Sequence, residues 1–173
     1  EAWLAGAALW TRDKRLRAYQ TYVTDNWLGG VYGSPAVLGT KSGGPWAAAW
    51  AVLHYLGDDG YLRVTAAARR ACEELVGVIR SIPQLALRAE PDTTLVAFGA
   101  ADPARFDVYA VADELWRRGW YVDRQGPPPS LHCTVNAVHD GLIPAFAADL
   151  RAAVEQVEAA AATGEVGAYG TVE

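Results

Sequence analysis

The stretch Trp27–Trp50, WLGGVYGSPAVLGTKSGGPWAAAW, sets how the rest of the chain is read. It contains Gly29, Gly30, Gly33, Gly39, Gly43 and Gly44. Glycine reaches backbone conformations closed to other residues and lets the main chain approach a ligand closely. Tyr32, Ser34, Thr40, Lys41 and Ser42 lie between the glycines, and all can donate hydrogen bonds. Pro45 and an apolar run follow. Proline suits the first turn of a helix, where its missing N–H costs nothing. Free amides at a helix start, a hydroxyl and a lysine together suit an anionic group such as phosphate. The pattern is not a P-loop, because the glycines that motif needs six residues and one residue before its lysine are Pro35 and Thr40 here. A Gly-rich loop also serves as a plain structural connection, and the residues alone leave both readings open.

Upstream, Ala7–Trp10 reads as a strand that runs into Arg12, Asp13, Lys14, Arg15 and Arg17. That charged cluster is a solvated turn, with an anion site as the alternative. Leu16–Val23 carries Tyr19 and Tyr22 and reads as a helical turn. Downstream, Pro45–Leu56 is apolar on nearly all sides, which predicts a buried helix. Gly57 is its expected C-cap and Asp58-Asp59-Gly60 the turn. Leu62, Ala66, Ala71, Leu75 and Ile79 then recur at helical spacing from Tyr61 to about Ser81, and Pro83 stops the helix.

The character then changes. Leu85–Leu87 is a short apolar run, and Thr93–Phe98, TTLVAF, reads as a strand. Asp107–Arg118 is an amphipathic helix ended by Gly119. Trp120–Val122 reads as a strand, Gly126–Ser130 as a stiff proline loop and Leu131–Val138 as another strand. Leu142–Ala162 is a long helix with Phe146, Leu150, Val154 and Val157 on one face. From Gln84 onward the order β-β-α-β-β-α predicts a small α+β unit, an antiparallel sheet with helices on one face.

The chain has 173 residues, 51% hydrophobic and 20% charged, the composition of a globular protein able to bury a core. A net charge of −5 gives no basic footprint, so nucleic acid is not an expected partner. No stretch reads as a membrane span or a secretory signal. Cys72 and Cys133 stand apart and read as free buried thiols, which suits a reducing, cytoplasmic compartment. There is no methionine, and both ends read as cut from something longer.

YGSPAVLGTKSGG, the apolar helix after it, and LHYLGDDGYLRVT resemble the sphingosine-1-phosphate lyase group of pyridoxal-phosphate enzymes. Members of that group show a Gly-Gly-x-Tyr-x-Ser-Pro run, then Gly-Ser/Thr-Arg-x-Gly-Gly ahead of a helix. FDVYAVADELWRRGW, PPPSLHCTVNAVH and the final AYG are similar to the same group's C-terminal domain. The resemblance runs from about Leu9 onward. It implies a C-terminal fragment of fold type I, α/β passing to α+β. Residues 1–56 would end the large cofactor-binding domain. Residues 57–173 would be the linking helix and the small C-terminal domain. It also implies an obligate homodimer with pyridoxal 5'-phosphate as cofactor and a small-molecule amine or amino-acid substrate. The implied reaction cleaves a carbon–carbon bond in a phosphorylated amino alcohol, such as a sphingoid base phosphate, to an aldehyde and ethanolamine phosphate. The alternatives are an amino-acid decarboxylase of the tyrosine, glutamate or aspartate type, and a non-catalytic dimerisation module.

Residue by residue, the resemblance places Gly39, Thr40 and Lys41 at the cofactor phosphate of the neighbouring subunit. Lys41 stands where the family has arginine, which keeps the charge and loses the bidentate fork. Tyr32 and Ser34 become substrate-side hydrogen-bond donors, with Tyr32 a candidate acid; a packed loop tyrosine is the competing reading. The family's Schiff-base lysine is expected ahead of Glu1, and the only lysines here are Lys14, read as solvent-facing, and Lys41. No catalytic residue beyond Tyr32 is therefore expected within these residues. His54 reads as a core or interface histidine, and His132 with Cys133 as structural. His139-Asp140 could form an acid–base or metal pair, but nothing else supplies ligands, so no metal is expected.

Overall fold

The computed structural model describes residues 14–36, 39–40 and 42–165. They fall into two compact units that divide between Asp58 and Asp59.

In the first unit, α1 (Lys14–Gln20) leads into β1 (Tyr22–Thr24), which pairs antiparallel with β2 (Tyr32–Ser34). The expected helical turn through Val23 ends early, at Gln20. Tyr22, Val23 and Thr24 are aromatic or β-branched, and they take Ser34, Gly33 and Tyr32 as sheet partners instead. The Gly-rich stretch is therefore not loop throughout. The strand expected over Ala7–Trp10 lies outside the described residues.

Helix α2 spans Gly43–Arg80, and its single non-helical residue is Gly57, at φ 57° and ψ −174°. Two helices meet there at a kink: Gly57 ends the first at a positive φ, as its expected C-cap, and the second starts at once, so Asp58–Gly60 is helical and not the expected turn. The burial expected of Pro45–Leu56 is also not found: Trp46, Val52 and Leu53 are exposed, Trp50 is 64% exposed and Tyr55 89%. The composition is that of a covered helix, but among the described residues nothing covers it.

The second unit carries a four-stranded sheet of β3 (Leu85–Leu87), β4 (Leu95–Ala100), β5 (Asp123–Gln125) and β6 (Ser130–Thr134). Their order is β3-β4-β6-β5, and every neighbouring pair is antiparallel. Helices α3 (Val108–Arg117) and α4 (Ile143–Ala160) and the later turns of α2 cover one face. Val96, Phe98 and Leu131 point into that side and are buried with Leu75, Ile79, Val111, Leu115 and Leu150. This is the predicted antiparallel sheet with helices on one face.

Several boundaries differ from expectation, each because tertiary contacts compete with local pattern. β4 begins at Leu95, two residues later than predicted. The Thr93 carbonyl accepts from Cys72 Sγ at 3.3 Å. Trp120–Val122 is not a strand, and β5 starts at Asp123. The Trp120 amide donates back to Leu115 O at 2.9 Å, closing the end of α3, and its indole Nε1 donates to Asp149 at 2.8 Å. β6 stops at Thr134, and Ala137–His139 forms a 3-10 turn where a strand was expected to continue.

Asp107 starts α3 as predicted. One of its oxygens accepts from Tyr109 N at 2.9 Å, and the other accepts from Gly164 N at 2.8 Å. Gly164 passes so close to the helix that a Cβ there would overlap Ala110 N.

Candidate functional site

The β1–β2 hairpin positions the Gly-rich loop. Trp27 to Gly30 forms its turn, closed by Gly30 N donating to Trp27 O at 2.9 Å, with Gly30 at φ 97°. Trp27 packs against Tyr32 with ring centroids 6.0 Å apart. That contact orients the phenol, and a Cβ built on Gly39 would sit 3.8 Å from the Tyr32 hydroxyl. Tyr32 and Gly39 are therefore neighbours, although the sequence separates them by seven positions.

Ser34 is tied into its own turn. Its hydroxyl donates to Ala36 O at 2.7 Å and accepts from Ala36 N at 3.3 Å. Gln20 Nε2 braces the same segment by donating to Pro35 O at 2.8 Å. Thr40 is exposed and makes no hydrogen bond with the described residues, so its hydroxyl is available to a ligand. Lys41 lies outside the described residues. Two residues after it, α2 opens at Gly43, where the leading amides have no intrahelical partner.

The histidines divide clearly. His54 is exposed, so its core reading is wrong. Its Nδ1 lies 2.8 Å from Trp50 O, and its ring stacks on Trp50 at 4.2 Å. His139 Nδ1 accepts from Asn136 N at 3.0 Å, which fixes the neutral tautomer with its proton on Nε2. Asp140 is paired with Arg70 at 2.7 Å, so these two adjacent residues hold separate structural contacts. His132 Nδ1 lies 3.8 Å from Asp123. Among the described residues no cluster of three or more His, Cys, Asp or Glu could hold a metal ion.

A cleft of about 250 Å³ runs beside Trp120, Val122, Cys133, Leu142, Ile143 and Phe146. Its thiol is not a nucleophile, because burial, helped by the Asp123 carboxylate, pushes Cys133 up to about 12. Burial also raises Cys72, with Glu73 adding to it and Arg69 opposing.

No protein-family model matches the chain. Over 148 residues it is 34% identical to the sphingosine-1-phosphate lyase of Arabidopsis thaliana, an alignment that covers 86% of this chain. The chain is homologous to the sphingosine-1-phosphate lyases. It spans about a quarter of that relative's length, 27%. Among solved structures, the sphingosine-1-phosphate lyase of Burkholderia pseudomallei superposes with a TM-score of 0.73 at 36% identity. That match covers 87% of this chain and 34% of the other. The Lactobacillus brevis glutamate decarboxylase superposes with a TM-score of 0.64 over 81% of this chain and 34% of its own. At 18% identity that likeness speaks for the fold alone. The mixed helix-and-antiparallel-sheet architecture is that of these fold-type-I neighbours.

Neither the orientation of Tyr32 over Gly39 nor the commitment of the Ser34 hydroxyl to Ala36 was visible in the residues. The sequence reasoning also passed over Arg88, whose setting depends on sheet register. The one available signal was an arginine placed shortly before a strand that contains a glycine.

Proposed function

We propose that this chain is the C-terminal part of a pyridoxal-phosphate-dependent lyase. The intact enzyme cleaves a carbon–carbon bond in a phosphorylated amino alcohol, such as a sphingoid base phosphate, releasing an aldehyde and ethanolamine phosphate. The observation that carries this reading is the 34% identity over 148 residues to a sphingosine-1-phosphate lyase. On this reading residues 1–56 end the large cofactor-binding domain, and 57–173 form the linking helix and small domain.

The residues at the start of α2 fit a phosphate group. Gly43 has open space around it, Thr40 has a free hydroxyl, and the leading amides present the positive end of a helix. Thr40 would donate to a phosphate oxygen, the amides of Gly43 and Gly44 would add further donors, and Lys41 would supply charge. When bound, pyridoxal phosphate supplies the ring that takes up the electron pair left on the substrate carbon. Tyr32 packs on Trp27 with its hydroxyl beside Gly39, which supports a role in holding or delivering a proton at the substrate side. The Ser34 hydroxyl donates its hydrogen bond to Ala36 O, so it offers substrate only lone-pair acceptance and otherwise fixes the turn that follows Tyr32.

The exposed Trp46, Trp50, Leu53 and Tyr55 support a homodimer, in which this apolar surface is covered. The free thiols support a reducing, cytoplasmic compartment.

The test uses the complete protein, supplied with pyridoxal phosphate. It is incubated separately with a sphingoid base phosphate and with glutamate, aspartate and tyrosine. Long-chain aldehyde without carbon dioxide supports the lyase. Carbon dioxide from an amino acid would replace it with a decarboxylase, and neither product would leave a non-catalytic module.

A further inference from the structure

We propose that the helix-free face of the four-stranded sheet binds a small oxyanion, phosphate or carboxylate, through the guanidinium of Arg88. The site stands apart from the cofactor reading, because all of its residues belong to the second unit and Thr40 plays no part in it.

The face is laid out by strand register. Arg88 N donates to Ala97 O at 2.8 Å, which extends the β3–β4 pairing by one residue beyond Leu87. Ala97 pairs with His132, and His132 with Asp123. Arg88, Ala97, His132 and Asp123 thus form one row across the strands. In the next row Ala86 pairs with Gly99, and Gln125 with Ser130. Alternation along each strand puts these residues on the side opposite Val96, Phe98 and Leu131, which face the helices. The middle of this face is made of Ala86, Ala97 and Gly99, so its floor is shallow.

Arg88 lies down on that floor. A Cβ built on Gly99 would overlap Nη2, Cζ and Nε of Arg88, so the guanidinium occupies the place that any other side chain would take. One of its nitrogens, Nη2, donates to Pro129 O at 2.8 Å. Its Nε is buried and has no acceptor. No acidic side chain among the described residues pairs with it. By contrast, Arg69, Arg70, Arg80, Arg117, Arg118 and Arg124 each lie against a carboxylate. Arg124 also has a buried Nε without a partner, but its charge is answered by Asp113.

A partly buried guanidinium with neither counter-ion nor a full set of acceptors is unfavourable by itself. An oxyanion answers the charge and the N–H groups of the fork that are not turned into the sheet, those of Nη1 and the second one of Nη2. Its charge balances the arginine, and its oxygens match the planar fork of N–H groups. His132, across Ala97 from Arg88, carries a second ring nitrogen besides the one directed at Asp123, and so can add a contact. The observations specify the oxyanion class; whether it is borne by a phosphate ester or a carboxylic acid is left to the two arms of the test.

The test titrates inorganic phosphate, and in a second arm acetate, into the whole 173-residue chain at constant ionic strength. Backbone amide resonances report the binding. Saturable shifts are expected at Ala97, Gly99 and His132, and not with chloride. Arg88→Gln should weaken the midpoint by about ten- to a hundredfold, the loss expected for one charged hydrogen-bonded contact. Gly99→Ala keeps the arginine but expels it from its bed, and should weaken binding as well. It also serves if Arg88→Gln unfolds. Tighter phosphate binding identifies a phosphate ester as the natural ligand, and tighter acetate binding a carboxylate. Absence of saturable shifts at these amides in the wild type, or an unchanged midpoint in both variants, would overturn the proposal and leave Arg88 as a tether for Pro129.

Discussion

Asp107→Ala should destabilise the second unit through two hydrogen bonds that one carboxylate accepts. The first is the cap of α3, from Tyr109 N at 2.9 Å. Replacing an acidic N-cap by alanine costs about 1 kcal/mol, within a range of roughly 0.5–2. The second is the bond from Gly164 N at 2.8 Å, which ties the segment after α4 to the start of α3. An intramolecular hydrogen bond contributes about 1 kcal/mol net. The two act on different segments, so their sum, about 2 kcal/mol, is the expected loss. For a unit of this size that corresponds to a fall in Tm of about 8 °C. Gly164→Ala separates the terms. Its Cβ would overlap Ala110 N, so it should release the segment and leave the cap, costing about half as much. Asp107→Asn keeps an uncharged acceptor for Tyr109 and should also fall between the two. Urea unfolding followed by circular dichroism measures the free energies, and hydrogen exchange at Tyr109 and Gly164 locates them. A loss below about 0.5 kcal/mol for Asp107→Ala, within the scatter of ordinary surface changes, would refute the reasoning.

Three other outcomes are expected. In the complete protein, Thr40→Val should weaken pyridoxal phosphate affinity about ten- to a hundredfold, since a hydrogen bond to a charged group contributes roughly 1.5–3 kcal/mol. Fold stability should not change, because the hydroxyl has no partner among the described residues; cofactor titration and thermal melting together check this. The exposed apolar stretch of α2 should make the isolated chain self-associate, and the double variant Trp50→Ser, Leu53→Ser should shift it toward monomer in sedimentation velocity. The last outcome concerns alkaline pH. The Cys133 thiol titrates near 9 when unfolded and near 12 when folded, so the folded state keeps a proton that the unfolded state loses. Its stabilising contribution is complete below pH 9 and declines as pH rises toward 12. Wild type should therefore lose stability faster than Cys133→Ala over that window, by at most about 1.4 kcal/mol per pH unit, and parallel curves would count against it.

The chain's own residues determined the elements whose signals are local. The amphipathic run from Asp107 to Arg118 with Gly119 behind it announced α3, because an apolar stripe at helical spacing and a terminating glycine are local signals. The apolar spacing of Phe146, Leu150, Val154 and Val157 likewise announced α4. The β-β-α-β-β-α order was enough for the class of the second unit, and the motifs around Tyr32, Gly39 and Thr40 were enough for the family. Tertiary structure decided the rest, wherever two segments compete for the same backbone groups. The Trp120 amide closes α3 instead of opening a strand, so β5 begins three residues later than its local pattern suggested. Tyr22–Thr24 leaves the helix because Tyr32–Ser34 offers it a sheet partner. The apolar stretch of α2 shows the opposite limit. Its composition demands cover, but composition does not carry the identity of what covers it, and the surface stays exposed here. The bed of Arg88 on Gly99 depends on a one-residue register between β3 and β4, set by the pairing of Leu87 with Phe98. Pairing of that kind is a long-range choice, and no local pattern of residues encodes it.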